Sequence, residues 1–401
     1  MPDLIPNARA RRLFLHRHAL AEPPTGPATG QSLHDLIDRI GFVQVDSINT
    51  VARAHDMILW SRRQSFRPAA LKRLLEKDRM LWEHWTHDAS ILPIGLHGVW
   101  QHRFDRDADR LRDNWRKWFR AGYEAQFDTL LDRIAKDGPV GTADVGEGEL
   151  RGKGGWWDWH PSKAALEWLW RTGQLAVTRR DGFAKIYDLT ERVIPAAHRA
   201  PIPAEDVADW ACRTALDRLG FGSAKDIAAY WNAIKPQAAR DWCHTALAQG
   251  EIIEVEVEGA NGQPRRAFAR PETLSEPLPE PPARLRILSP FDPALRDRDR
   301  AEHLFGFRYR IEVFVPEPKR IFGYYVFPVL EGARLIGRID VKAFRDAGAL
   351  RVKGFWPEPG VRLTRQRQTR LEAELDRLAR FSGCDRVEFL PGWEQETRLQ
   401  P

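Results

Sequence analysis

Residues 41–63 read GFVQVDSINTVARAHDMILWSRR, a pattern that predicts a short strand followed by a helix. In its first half, apolar residues surround two polar ones, Gln44 and Asp46. An extended chain sends residues i and i+2 to the same side, so the amide of Gln44 and the carboxylate of Asp46 would converge. On a helix the same two side chains would stand about 200° apart. The pair therefore has a chemical meaning only if the segment is extended.

The sequence around this strand predicts further helices. Residues 7–20 are arginine-rich and helical, and after a loop rich in proline and glycine, Ser32 caps a helix that ends at Ile40. Residues 51–62 form the helix after the strand. The order helix, helix, strand, helix is compatible with a small winged-helix-like unit, which we assign to residues 1–66.

The chain then repeats an order of helices followed by a hairpin. Residues 67–120 are assigned to a helical connector that includes the strand MLWEHW. Residues 121–199 and residues 200–271 each contain helices followed by a hairpin. The hairpin turns are predicted at residues 181–182 and near residues 261–262. Such a repeat is typical of tandem winged helix-turn-helix units, and a chance alternation of helices and hairpins is the alternative.

A proline-rich linker at residues 272–284 precedes a different region, residues 285–401, in which strands predominate. The segments YRIEVFVP and RIFGYYVFPVL predict a hairpin around residues 316–320, and RLIGRIDVKAF and ALRVKGFW predict further strands. Residues 361–380 form an arginine-rich amphipathic helix. The predicted fold class is therefore α+β, with tandem winged helix-turn-helix units followed by a β-rich C-terminal domain.

The composition excludes several classes of protein. The chain has 401 residues, 43% of them hydrophobic, and no apolar run approaches the roughly 18 residues of a membrane span. Its start lacks the apolar core of a signal peptide. Three cysteines, widely spaced and without a CxxC pair, argue against a disulfide framework or a structural zinc site. A reducing cytoplasm is the expected compartment.

The charge and the tryptophan content point toward nucleic acid. The formal net charge is +6, and 16 residues are tryptophan. Cationic grooves attract phosphate, and aromatic faces stack on bases at roughly 1–3 kcal/mol per base. Trp156, Trp157 and Trp159 are candidates for such stacking, although core packing is the alternative that we favour for at least two of them.

The sequence lacks the motifs of several common enzyme classes. It contains no GxSxG, HExxH or GxxxxGK[ST] pattern, and no HxE combined with PCxxC. His84, His87 and Asp88 lie close together but lack a fourth ligand at a clear spacing, so no metal site is predicted. We also expect no cofactor.

Gln44 and Asp46 remain the best candidates for catalytic residues. From the residues alone, Asp46 or Ser47 could instead cap the helix that follows. A catalytic interpretation is favoured by a resemblance that runs in order over nearly the whole chain. QVDSINTVARAHDMILWSRR, WEHWTHDASILP, GWWDWHPSKAALEWLWRTGQL and LSPFDPALRDRDRAEHLFGFRYRIEVFVPEPKRIFGYYVFPVL closely resemble segments of the AlkZ/YcaQ family of winged-helix DNA glycosylases.

The resemblance implies an architecture and an activity. The family combines three tandem winged-helix units with a C-terminal β domain, arranged as a concave DNA-binding surface. Its catalytic element is Gln-apolar-Gln or Gln-apolar-Asp, and Gln44-Val45-Asp46 is similar to the YcaQ-like aspartate form. The implied activity is that of a monofunctional DNA glycosylase, which removes N7-alkylguanines, unhooks guanine interstrand crosslinks and leaves an abasic site.

The resemblance also suggests roles for individual residues. Asp46 would stabilise the positive charge that develops on the sugar and accept a proton from a water that Gln44 holds. The candidate phosphate contacts are the cationic residues Arg53, His55, Arg62, Arg63, Lys319 and Arg320, the last two at the tip of the predicted hairpin. For the first four, a solvated helix face is the alternative.

The implied partner is double-stranded DNA that carries alkylated bases or crosslinks, bound by a cytoplasmic, nucleoid-associated monomer. A non-catalytic winged-helix regulator of transcription is the alternative function, and it would need base-reading side chains on a recognition helix. Such a regulator has no use for an amide and an acid that converge beside each other.

Overall fold

In the computed structural model of the chain, which describes residues 2–118, 122–149 and 159–398, helices alternate with short sheets along the whole sequence. This mixture confirms the predicted α+β class. None of the helices among these residues is long and apolar enough to cross a membrane. The chain begins with strand β1, Asp3–Ile5, and helix α1, Asn7–Arg17.

The first winged-helix unit follows. Its elements are α2 (Gly30–Ile40), β2 (Val43–Gln44), α3 (Ala54–Trp60), α4 (Pro68–Glu76), β3 (Leu81–Trp85) and β4 (Ala89–Pro93). The strands form one sheet in the order β2-β4-β3, so the short strand β2 pairs with the last strand of the hairpin. The long helix α5, His97–Trp118, then leads to the next unit.

The second and third units repeat this topology. The second contains α6 (Phe127–Asp137), β5 (Val140–Gly141), α7 (Pro161–Arg171), β6 (Leu175–Asp181), β7 (Ala184–Leu189) and the short α8 (Thr190–Val193). The third contains α9 (Asp206–Leu219), β8 (Phe221–Gly222), α10 (Ala224–Trp231), α11 (Pro236–Ala248), β9 (Ile253–Glu258) and β10 (Pro264–Ala269). Their sheets run β5-β7-β6 and β8-β10-β9, the same order as in the first unit.

The pairing of the strands differs from the predicted domain boundaries in two places. A division between residues 66 and 67 would separate β2 from β3 and β4, which share its sheet. At the other end, β1 lies parallel to β9, so the N-terminal strand belongs to the third unit. Both pairings join segments far apart in sequence, which local patterns cannot reveal.

The C-terminal region is built on a five-stranded sheet in the order β11-β12-β13-β14-β15. Its elements are β11 (Leu285–Ile287), α12 (Pro293–Arg296), α13 (Arg298–Phe305), β12 (Val326–Glu331), β13 (Arg334–Phe344), β14 (Ala349–Pro357), α14 (Arg365–Ser382) and β15 (Arg386–Phe389). Helix α14 buries Leu371, Leu375 and Leu378 completely, as expected from its amphipathic pattern.

The predicted hairpin around residues 316–320 is wrong. Residues 309–316 form no strand, and β12 pairs with β11 and β13 instead. The reason lies in Glu312, whose buried carboxylate accepts backbone N–H groups from Ile321, Phe322 and Gly323 at 2.9–3.2 Å. These bonds fold residues 312–323 into a loop around one acid and replace the hydrogen bonds of a strand ladder.

Candidate active site

The strand that carries Gln44 begins at a glycine that no other residue could replace without strain. Gly41 ends α2 with a φ of +82°, and a Cβ there would lie 2.8 Å from the hydroxyl of Tyr230 and 2.9 Å from the ring of Trp231. Positive φ and this close approach both favour glycine. Phe42 then packs on the same two aromatic rings, so α10 of the third unit fixes where the strand starts.

The extended backbone continues for one residue beyond β2. Gln44 pairs with Ser90, and the N–H of Val45 donates to the carbonyl of Ala89 at 2.8 Å. Val45 is buried in the core. Since side chains alternate on an extended chain, Gln44 and Asp46 occupy the side opposite Val45. The Gln44 side chain is only 8% exposed, and its amide makes no hydrogen bond to any described residue.

Asp46 sits at a sharp turn rather than at a helix cap. Its Oδ1 accepts the backbone N–H of Ile48 at 2.8 Å, which closes a small turn after the strand. Helix α3 begins only at Ala54, and its N-cap is Arg53. The alternative in which Asp46 or Ser47 caps this helix is therefore wrong, and Oδ2 of Asp46 has no hydrogen-bond donor among the described residues.

The surroundings of Asp46 make its carboxylate more basic than that of an exposed aspartate. Burial raises its pKa above the ordinary 3.8, the N–H of Ile48 opposes this rise, and the negative charge of Asp88 adds to it. Tyr325, at the start of β12, lies within electrostatic range: burial raises its pKa well above 10, and the charge of Asp46 contributes. Tyr325 is thus a neighbour of the site that the sequence did not indicate, and Asp88, considered above only as a metal ligand, is a second one.

The loop after Asp46 is held by the C-terminal sheet. The backbone N–H of Ala343, in β13, donates to the carbonyl of Thr50 at 2.8 Å. The exposed Arg345 donates to the carbonyl of Val51 and lies 3.4 Å from Oδ1 of Asn49. The turn that carries Asp46 is therefore fixed between the first unit and the C-terminal region. Arg345 is a cation at this site that a strand pattern alone could not distinguish.

The prediction that Arg62 contacts phosphate is contradicted by its position. Its side chain is fully buried and forms a two-point ion pair with Asp292, at 2.7 and 2.9 Å. It also donates to the carbonyls of His18 and Ile58. All of its guanidinium nitrogens are engaged inside the protein, so Arg62 joins the first unit to the C-terminal region.

Three other predicted phosphate contacts are enclosed by the protein or engaged in contacts within it. His55 is almost entirely enclosed, and burial lowers its pKa to about 3, so the ring is neutral and cannot neutralise a phosphate. Arg63 donates to the carbonyl of Arg62 at 3.0 Å and lies 3.9 Å from Glu22. Arg53 is half-buried and stacks on Phe183 at 4.9 Å.

Lys319 and Arg320 lie on the loop around Glu312 instead of a hairpin tip. Lys319 is exposed, whereas Arg320 donates to the carbonyl of Val315 at 2.9 Å and stacks on Tyr324 at 5.1 Å. The same loop carries Phe314, whose side chain is 86% exposed. A large exposed aromatic residue beside two cations suits a nucleic-acid contact. The sequence pattern does not indicate Phe314 as a contact, because its alternating apolar residues predict a strand for this segment.

The remaining candidates are the histidines considered as metal ligands and the tryptophans considered for base stacking. His84 is fully buried and His87 is mostly enclosed, and each hydrogen-bonds a backbone carbonyl, of Trp170 at 3.0 Å and of Ala229 at 2.7 Å. Trp159 packs edge-on against Trp115, consistent with core packing. Trp156 and Trp157 lie outside the described residues.

Comparisons with known proteins identify the family and a similar fold. The family model described as DNA glycosylase AlkZ-like matches residues 37–381, which is most of the chain. Among solved structures, the DNA glycosylase AlkZ of Streptomyces sahachiroi is similar in fold, with a TM-score of 0.63 and 18% sequence identity. The similarity covers 95% of this chain and 98% of that one.

Proposed function

Because this chain belongs to the AlkZ-like DNA glycosylase family and is therefore a hydrolase of N-glycosidic bonds in DNA, we propose that its substrates are cationic N7-alkylpurines, including those in interstrand crosslinks. In this proposal Asp46 and Gln44 are the catalytic residues, and the product is an abasic site. Family membership leaves no support for the alternative of a non-catalytic regulator.

The chemistry of these lesions suits an active site without a strong acid. An N7-alkylated purine already carries a positive charge, so it leaves without protonation, and positive charge then develops on the sugar. A fixed carboxylate stabilises that charge and accepts a proton from the attacking water. An amide offers both a donor and an acceptor, which lets Gln44 hold and orient the water.

One observation carries the proposal. Gln44, which is nearly buried and whose amide has no hydrogen-bond partner among the described residues, stands two residues before a carboxylate of raised pKa, Asp46. The two polar atoms of the Gln44 amide are not among the fully buried side-chain atoms without a partner, so they remain accessible to a water or a substrate. The N–H of Ile48 donates to Oδ1 of Asp46, and Oδ2 would accept the proton from the attacking water.

Incubation with damaged DNA tests the activity. Duplexes that contain N7-methylguanine or a nitrogen-mustard crosslink would be incubated with the protein, and abasic sites would then be cleaved with alkali. Strand scission that depends on the lesion supports the proposal. Release of N7-methylguanine without unhooking would restrict the substrates to monoadducts, and intact strands after long incubation would refute it.

The pH dependence of excision should report the environment of Asp46. The carboxylate form is the active one, and its pKa is raised, so activity should fall on the acid side through an apparent pKa above 3.8. Single-turnover rates across the acid range would measure this limb. An acid limb at or below the ordinary value of an exposed aspartate would contradict the role of Asp46.

The salt dependence of DNA binding should show whether Lys319 contacts a phosphate. If its ammonium contacts a phosphate, Lys319→Ala should reduce the slope of log affinity against log salt concentration by about 0.9 in magnitude. Lys136→Ala is the matched control, because Lys136 is also exposed and lies on α6, which carries none of the proposed contacts. Equal slopes for the two variants would remove Lys319 from the DNA interface.

The proposed state of the enzyme is a monomer that acts on chromosomal DNA in the cytoplasm. The three cysteines are free and buried, which agrees with a reducing compartment.

A further inference from the structure

A second candidate site lies behind the strand that carries Gln44 and Asp46. It is a cavity of about 440 Å³ between α3, α4 and β3 of the first unit and the β6–β7 hairpin of the second. Small-molecule sites typically span about 300–1,000 Å³. Val45 lines this cavity and its two polar neighbours do not, as expected from the alternation of side chains. The cavity is thus distinct from the proposed catalytic site.

The cavity contains a carboxylate, that of Asp56, with no hydrogen-bonding partner in the part of the chain that the structure describes. The Asp56 side chain is 13% exposed, and Nε2 of the neutral His55 ring lies 3.9 Å from its Oδ2, beyond hydrogen-bonding distance. Burial raises the pKa of Asp56 to about 6, while the positive charge of Arg53 opposes the rise. Nδ1 of His55 is also buried without a partner among the described residues. Two adjacent polar groups are therefore available to a ligand.

Two other acids line the cavity, and both have partners: Glu76 lies 3.6 Å from the ammonium of Lys72, and Glu83 is held by an arginine. Glu83 accepts two hydrogen bonds from Arg180, with its Oε2 lying 2.7 Å from Nε. Arg180 also stacks on Phe183, which Arg53 contacts as well, so this corner of the cavity is closed by its own interactions. Asp56 lacks any such arginine fork.

The side chains that line the cavity indicate the shape and polarity of the ligand. Aliphatic side chains form an apolar part of the cavity wall, contributed by Val45, Leu71, Leu75, Ile91 and Val177, and charged side chains, among them Lys72 and Arg179, line the remainder. A flat, largely apolar ring system fits against such a surface, provided that its edge offers N–H groups to the carboxylate. Two parallel N–H donors match the two oxygens of one carboxylate best.

We propose that this cavity binds a free guanine-class base, with the ring N1–H and the 2-amino group donating to the two oxygens of Asp56. Adenine is a poor match, because its corresponding edge places an acceptor nitrogen beside its amino group. The proposed function enters only as the source of the ligand, since a released N7-alkylguanine belongs to this class. Binding itself does not require that the protein cleave DNA.

Titration calorimetry of the intact protein with 7-methylguanine tests the site. Saturable one-to-one binding is expected, together with much weaker binding of adenine. Asp56→Asn should weaken 7-methylguanine binding about tenfold or more, because an amide presents only one acceptor oxygen and no charge. Asp132→Asn, at an exposed position on α6, is the matched control and should bind like the parent.

A second variant keeps the carboxylate of Asp56 and reduces only the volume of the cavity. Leu75→Phe adds volume to the cavity wall and should also weaken binding, with the unfolding midpoint of each variant measured to verify folding. No saturable binding by the parent, equal binding of adenine, or unchanged affinity in Asp56→Asn would each overturn the proposal. Binding without base excision would instead refute only the proposed function, and excision without binding would refute only this site.

Discussion

Replacing Asp46 with asparagine should reduce single-turnover base excision by about 10²–10⁴-fold and leave DNA binding nearly unchanged. In the proposed mechanism the carboxylate provides both the negative charge beside the developing sugar cation and the acceptor for the proton of water, and asparagine provides neither. The fold should persist, because the side-chain oxygen of asparagine can still accept the N–H of Ile48. Alkali-cleaved N7-methylguanine DNA measures the rate.

The control for this variant is Asp132→Asn, which removes an exposed carboxylate from α6. It should excise at the rate of the parent. DNA binding by Asp46→Asn, measured on undamaged duplex, separates loss of chemistry from loss of affinity. Full excision by Asp46→Asn would show that the carboxylate role belongs to another residue, and Asp88 would then be the first to examine because its charge reaches Asp46.

Replacing Arg62 with methionine should lower the free energy of unfolding by about 3–5 kcal/mol. This change leaves Asp292 as an unpaired charge at a fully buried position, where desolvation is no longer offset by the ion pair. Asp292 also accepts the N–H of Ala294 at the start of α12, so its displacement would disturb that helix as well. Chemical denaturation monitored by tryptophan fluorescence measures the change.

A surface pair supplies the comparison for this prediction. Arg73 and Asp78 also form an ion pair, at 3.1 Å, but the Arg73 side chain is 71% exposed. Arg73→Met should therefore cost at most about 1 kcal/mol. Equal losses for the two variants would show that the burial of Arg62 does not matter. A loss of DNA affinity with unchanged stability in Arg62→Met would restore the interpretation of Arg62 as a phosphate contact.

Local patterns in the sequence were sufficient to predict most of the elements. The hairpin of the third unit turns around Asn261-Gly262 as predicted, and that of the second unit turns one residue later than predicted, at Gly182-Phe183, because turn chemistry depends on neighbouring residues. The same holds for α14, whose apolar period matches its buried face. The hairpin near residue 316 failed because a single acid, Glu312, recruits the backbone of a later segment, which alternation of apolar residues does not reveal.

The candidate site also has features that the sequence predicts and features that depend on the tertiary structure. The sequence by itself determined that an amide and an acid lie two residues apart on an apolar strand, because alternation on an extended chain is a local property. Only the tertiary structure decided which charged side chains remain available. Arg62 and Arg63 are neighbours in sequence, yet Arg62 is fully buried because Asp292, 230 residues away, accepts its guanidinium. The cost of burying a charge depends on such distant partners, and no local pattern encodes them.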